Sequence, residues 1–229
     1  MREVHPQNGF ILFNTAQKCQ YGAFKSMQEG QINLVGPCPF SSTPASSSHA
    51  ATVVSVALKQ PYRPNHNSTP DSSISIVSTL CLSPDDQVKE LVADSLSIQW
   101  AGALLQDVYN FIVEYHQCHS VTCPVTIPQF RFVTFGLAMT NTPGTPPTQK
   151  EVFLVEELIR QDGPWRKYIN NNSSKPSHFS DHENFRRSQF LAFCQHVQYW
   201  RTRCLAFTSD FQGECRSNFL IVHLTNKVA

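Results

Sequence analysis

The chain has 229 residues, with 18 Lys and Arg against 17 Asp and Glu and a formal net charge of +1. That length suits one domain, or one two-lobed domain, and is enough to bury a sizeable core. Near-neutral charge excludes a broad nucleic-acid surface, which needs clustered excess cations. A hydrophobic share of 41% with 16 Phe excludes a disordered chain.

Residues 1–18 hold only a short apolar run at 10–13, too short for a signal-peptide core. No stretch approaches the ~20 apolar residues of a membrane span. The eight cysteines are irregularly spaced, so reduced thiols and an intracellular, cytoplasmic location are expected, with no membrane partner. Residues 37–50 and 60–73 are rich in Ser, Pro and Asn and read as loops. Between them, residues 52–59 (TVVSVALK) form a β-branched run of strand length.

Ser83-Pro84-Asp85-Asp86 reads as a helix start, with Ser as cap, Pro in the first helical position and acids in the first turn. Val88, Leu91, Val92, Leu96, Trp100, Leu104, Val108, Phe111, Ile112 and Tyr115 then recur at helical spacing. Residues 129–138 and 151–159 read as strands, separated by a Pro-rich loop. Residues 186–200 have helical spacing, and 205–209 read as a short strand leading into Asp210. This order predicts an α+β fold with two lobes rather than a regular βαβ alternation.

Three constellations bear on chemistry. Val56-Ala57-Leu58-Lys59 matches the V-A-I-K pattern of a strand lysine that reaches nucleotide phosphates, although an edge lysine closing an ordinary strand reads the same way. Alternation puts Val53, Ser55, Ala57 and Lys59 on one face. Asp210-Phe211-Gln212-Gly213 offers a carboxylate and an amide as hard oxygen donors for a divalent cation, but also suits a simple turn. His116, Cys118, His119 and Cys123 cluster at the end of the long helix, without a second Cys/His pair at zinc-ligand spacing, and read as a helix end. The chain lacks G-x-G-x-x-G, P-loop and G-x-S-x-G motifs.

The order of the blocks is more specific than any one of them. GAFKSMQEGQINL (22–34), VVSVALKQPY (53–62), IQWAGALLQDVYNFI (98–112), FLVEELIRQDGPWRKYINNNS (153–173), FLAFCQHVQYW (190–200) and LAFTSDFQG (205–213) follow in series. The series resembles the α-type protein kinases, the atypical family of myosin heavy chain kinases and the elongation-factor kinase, and is most similar to its short fungal members. The resemblance implies a two-lobed kinase-like fold, with a curled antiparallel sheet and a long helix in the N-lobe and an incomplete C-lobe. It also implies ATP and Mg²⁺ as cofactors, a protein substrate, and phosphoryl transfer to Ser or Thr, while the near-neutral charge argues for no nucleic-acid partner.

By the same resemblance, Lys59 contacts ATP phosphates and Lys25 faces them from the preceding strand. Glu156 lies beside the adenine, Asp210 is the catalytic aspartate, and Asp210 and Gln212 hold Mg²⁺. Lys167, Asn170, Asn171, Asn172 and His196 are substrate-side or structural. The sequence leaves open whether Glu90 or another acid on the long helix pairs with Lys59. The implied organisation is an extension at 1–19, a kinase domain at 20–213 divided near residue 150, and a divergent tail at 214–229.

That tail has no counterpart of the family's L-T-D-P motif or its zinc site. It reads as translated intron, since Gly213-Glu214-Cys215 can be encoded with a GTGAGT donor. A catalytically inactive remnant that binds nucleotide or a protein partner is the alternative to an active kinase.

Overall fold

The computed structural model describes residues 7–14, 19–22, 24–35, 39–40, 52–64, 79–120, 125–140, 150–159, 164–170, 175–216 and 219–224. In chain order the elements are β1 (Gly9–Phe13), β2 (Gln20–Tyr21), β3 (Lys25–Leu34), β4 (Thr52–Pro64), β5 (Thr79–Cys81), α1 (Pro84–His119), β6 (Phe130–Phe132), β7 (Phe135–Met139), β8 (Val152–Glu157), β9 (Arg166–Lys167), α2 (His182–Arg201), β10 (Phe211–Arg216) and β11 (Phe219–Leu224). The mixture is the expected kinase-like α+β class, and the chain divides into two compact units.

The first unit comprises Met1–Ser95 and Thr134–Leu158. Its antiparallel sheet runs β1-β3-β4-β8-β7, with β2 on β3 and β5 on β4. The β-branched run of β4 lies at the centre, where alternation sends Val56 and Leu58 into a core with Ile32, Phe153 and Val155. Gly30 sits on that same face, opposite Val56. A Cβ there would stand 2.5 Å from Leu58 Cδ1, so only glycine lets β3 approach this closely.

Ser83 caps α1 as expected, its Oγ accepting from Asp86 N–H at 3.2 Å and donating to Asp86 Oδ2 at 2.8 Å. The helix begins in the first unit and continues in the second. Leu91, Ile98, Ala101, Leu105 and Val108 form its buried stripe. Gln87 anchors it to the first unit's sheet, accepting from Val152 N–H at 3.0 Å and donating to the Leu82 carbonyl at 2.8 Å.

The second unit comprises Leu96–Val133 and Ile159–Ala229. Its sheet runs β6-β11-β10-β9, antiparallel except for the parallel β6–β11 pair. Leu105, Val108, Phe130, Tyr168, Leu191, Cys194, Val197 and Phe211 form the core. The expected strand at 129–138 is two strands, because β6 pairs with β11 in this unit while β7 pairs with β8 in the first. Residues 152–157 fall with the first unit through the β4–β8 pairing.

Two local expectations are corrected. α2 starts four residues earlier than its apolar spacing suggested, since Asp181 caps it by accepting from Asn184 N–H at 2.8 Å. No named strand covers 205–209. The strand begins at Phe211, after Asp210; before it Thr208 sits in an isolated β-bridge, and its carbonyl and N–H also meet the side chains of Gln195 and Gln198 on α2.

Candidate active site

Four charged side chains meet on one face of the first unit's sheet. The register sets Met27 opposite Lys59, Lys25 opposite Pro61 and Ala57 opposite Glu156. Opposite residues of an antiparallel pair share a face, so Lys25, Lys59 and Glu156 project together, away from the apolar core. Lys59 Nζ lies 2.6 Å from Glu156 Oε2, with the two side chains 15% and 4% exposed. From α1, Asp94 Oδ2 comes within 2.5 Å of Lys25 Nζ.

The electrostatics of this cluster follow from burial. Desolvation pushes the Lys59 ammonium below its ordinary value. The Glu156 carboxylate pulls it back up, Lys25 pushes it further down, and Asp94 pulls it up. An ammonium carries three donors, so a lysine held by one carboxylate can still bind a phosphate oxygen. Glu90, the acid named from sequence, is exposed. Asp94, one turn further on, is the helix acid that reaches a strand lysine, and that lysine is Lys25.

A second constellation lies in the second unit. β9 pairs with β10 so that Lys167 faces Gln212 and Arg166 faces Gly213. Asp210, just before β10, is 2% exposed and has φ of +60°, the left-handed region that Asp tolerates better than most residues. Its Oδ1 lies 2.6 Å from Lys167 Nζ, an ion-pair contact, and no other polar group meets this buried oxygen among the described residues. Phe211 carbonyl accepts from Tyr168 N–H at 2.8 Å. The Tyr168 hydroxyl in turn donates to Asn184 Oδ1 at 2.7 Å within the core.

The donors here fit a hard cation. Mg²⁺ takes oxygen ligands and completes its octahedron with water and phosphate, using only one or two protein carboxylates. Asp210 supplies a buried carboxylate whose partner is the half-exposed Lys167, and half-buried Gln212 supplies an amide two residues on.

The remaining expected residues are placed differently. Asn170 is exposed, and its carbonyl lies 3.5 Å from Ser209 Oγ. His196 is exposed on α2. Asn171 and Asn172 lie outside the described residues. At the end of α1, His119 Nδ1 is 2.9 Å from the Tyr115 carbonyl, and its ring stacks on Tyr115. Among the described residues no group of three His, Cys, Asp or Glu could hold a metal ion. A groove of about 630 Å³, lined by Val125, Ile127, Pro128, His182, Arg186 and Phe190, contains none of the candidate residues.

Sequence reasoning passed over Asp94, Tyr168, Gln195 and Gln198. The available signal was a polar residue on an apolar stripe: Asp94 falls in step with Leu91 and Ile98, and Gln195 and Gln198 fall in step with Leu191 and Cys194.

No curated protein and no solved structure matches the chain. The alpha-kinase family model, however, matches residues 59–228. The match opens on Lys59, includes Glu156, Lys167, Asp210 and Gln212, and continues past Gly213 through the β10–β11 hairpin, beyond the point where the sequence resemblance was expected to stop. A match over most of the chain, carrying both constellations except Lys25, shows that the protein belongs to the alpha-kinase family of protein kinases.

Proposed function

We propose that this chain transfers the γ-phosphoryl group of ATP to Ser or Thr hydroxyls of a protein substrate. Lys59 and Lys25 bind the phosphates, and Glu156 aims Lys59 and borders the adenine. Asp210 accepts the proton of the acceptor hydroxyl as its oxygen attacks the γ-phosphorus and the bond to the β-phosphate oxygen breaks, releasing ADP. Asp210 and Gln212 would hold Mg²⁺, which when bound neutralises phosphate charge. Lys167, beside Asp210, tempers the negative charge gathering there. With Asn170 and His196 it takes a substrate-side or structural role.

The observation that carries this reading is Asp210, a buried carboxylate in a left-handed backbone whose Oδ1 has Lys167 at 2.6 Å as its partner. Groups that develop or receive charge need such pre-arranged, water-poor surroundings. Family membership and the paired lysine at Lys59 support it further.

The test is phosphotransfer from labelled ATP with Mg²⁺ to a generic basic protein, followed by phosphoamino-acid analysis. Label on Ser or Thr that disappears in both Lys59→Met and Asp210→Ala is expected. Absence of transfer from folded wild-type chain overturns the reading. If ATP still raises the melting temperature in that case, a nucleotide-binding module is what remains.

A further inference from the structure

Asp210 needs a device that holds it. Its φ of +60° is costly for a residue other than glycine, and such conformations persist only where the surroundings over-determine them. Phe211 is held on the far side by Tyr168 and Ile169, whose N–H groups both point to its carbonyl, at 2.8 and 3.3 Å. On the near side no named strand is present. The Thr208 carbonyl accepts from Gln195 Nε2 at 2.8 Å, and Thr208 N–H donates to Gln198 Oε1 at 2.8 Å.

We propose that Gln195 and Gln198 are positioning residues for the reaction: two amides on successive turns of α2 take the donor and acceptor of Thr208, as a neighbouring strand would, and so hold Asp210 in its strained conformation. This rests on the kinase reading of Asp210 given above.

The placement suits that role. Thr208, Ser209 and Asp210 are all buried, and Gln198 and Thr208 are fully so. Gln198 is itself anchored, since its carbonyl accepts from both the N–H and the hydroxyl of Thr202, each within 2.9 Å. Packing alone does not explain amides here. Gln195 Oε1, Gln198 Nε2 and Thr208 Oγ1 are buried without a hydrogen-bond partner, and an apolar side chain of similar volume would avoid that penalty. The amide heads are therefore poor core residues and good clamps. The two bonds are also directional: position 195 must donate and position 198 must accept.

The volume-conserving variants Gln198→Met and Gln195→Met separate clamp from packing. Each should lower kcat about 10- to 100-fold, the scale of a misplaced catalytic group. KM for ATP should change far less than kcat, because Lys25 and Lys59 are untouched, and the melting temperature should fall by no more than the loss of one buried hydrogen bond at Thr208 explains. Hydrogen exchange should show lost protection at residues 208–210 with β10 still protected. Gln198→Glu, which keeps an acceptor, should restore most of kcat. Gln195→Glu should not until the pH is low enough to protonate it into a donor.

Two results overturn the proposal: kcat unchanged in both Met variants, or a large fall in melting temperature with kcat falling and KM for ATP rising together, as in a general loss of structure. Exchange distinguishes this failure from failure of the kinase reading. A wild-type chain that transfers no phosphate yet loses 208–210 protection in the Met variants refutes the kinase and upholds the clamp, whereas unchanged protection refutes the clamp.

Discussion

The two lysine–carboxylate pairs reach nearly the same separation by opposite means. Lys59 and Glu156 sit on adjacent strands of a regular sheet, where register alone brings them to 2.6 Å and both side chains are largely buried. Lys167 and Asp210 are also 2.6 Å apart, but the aspartate sits in an irregular, strained segment and the lysine is 40% exposed. The first pair is built into the sheet and neither partner can leave without exposing the other to a poor dielectric. In the second only the acid is fixed. A half-exposed lysine can swing into water, which leaves the carboxylate available to a cation or a hydroxyl. Under the proposed function, regular structure would secure the phosphate-side charges and irregular structure would present the reactive one.

The sharpest way to break this contrast is to remove one partner from each pair. Lys59→Met leaves Glu156 buried without that cation, and should destabilise the fold by about 3–5 kcal/mol in denaturant unfolding. Lys59→Met/Glu156→Leu should return to within about 1 kcal/mol of wild type while remaining inactive. Equal losses in the single and double variants would show that the buried pair is not what the sheet is protecting.

Asp210→Asn should behave in the reverse way. Asn also tolerates the left-handed backbone and Lys167 is half in water, so stability should change by about 1 kcal/mol or less. Loss of the proton acceptor should lower kcat by roughly 10²–10⁴-fold. A large drop in stability would place Lys167–Asp210 in the same structural class as Lys59–Glu156.

Gly30→Ala probes the sheet as a positioning device. Its new Cβ would press on Leu58 Cδ1 at 2.5 Å and on the Leu12 carbonyl at 3.2 Å, with an expected penalty of about 1–3 kcal/mol. A rise in KM for ATP should accompany it, because Leu58 is Lys59's chain neighbour. Wild-type KM in this variant would show that β3 and β4 tolerate displacement.

The smallest expected effect is in the pH dependence of stability. Burial holds Lys59 below its ordinary 10.5 in the folded state, so just below pH 10.5 the unfolded chain binds the extra proton. Stability contributed by this group therefore rises with pH from the lowered folded value up to 10.5. Lys59→Met should lose that part of the slope, seen as the difference between the two chains' unfolding curves. A slope of opposite sign would mean that Glu156 outweighs desolvation.

Legibility in the sequence followed locality. The cap and stripe of α1, the β4 strand and the blocks around Lys59, Glu156 and Asp210 could be read directly, because each depends on neighbours within one or two turns or on period-2 alternation. The strand expected at 205–209 failed because the backbone of Leu205 and Ala206 turns back onto Thr202, while that of Thr208 meets side chains ten and thirteen residues away on α2. The sequence left open whether Glu90 or another helix acid would pair with Lys59; Lys59 pairs with Glu156 instead, and Asp94, which shares the buried stripe with Leu91 and Ile98, pairs with Lys25.

By itself, the sequence determined the element types, the apolar faces and the family, since these rest on short-range periodicity and on ordered local blocks. Only the tertiary structure decided the pairings: Lys25 with Asp94, Lys59 with Glu156, Lys167 with Asp210, and Thr208 with two glutamines. Partners separated by up to 97 residues are chosen by register and helix packing. Burial then turns those contacts into large energies, and burial is a property of the folded chain alone.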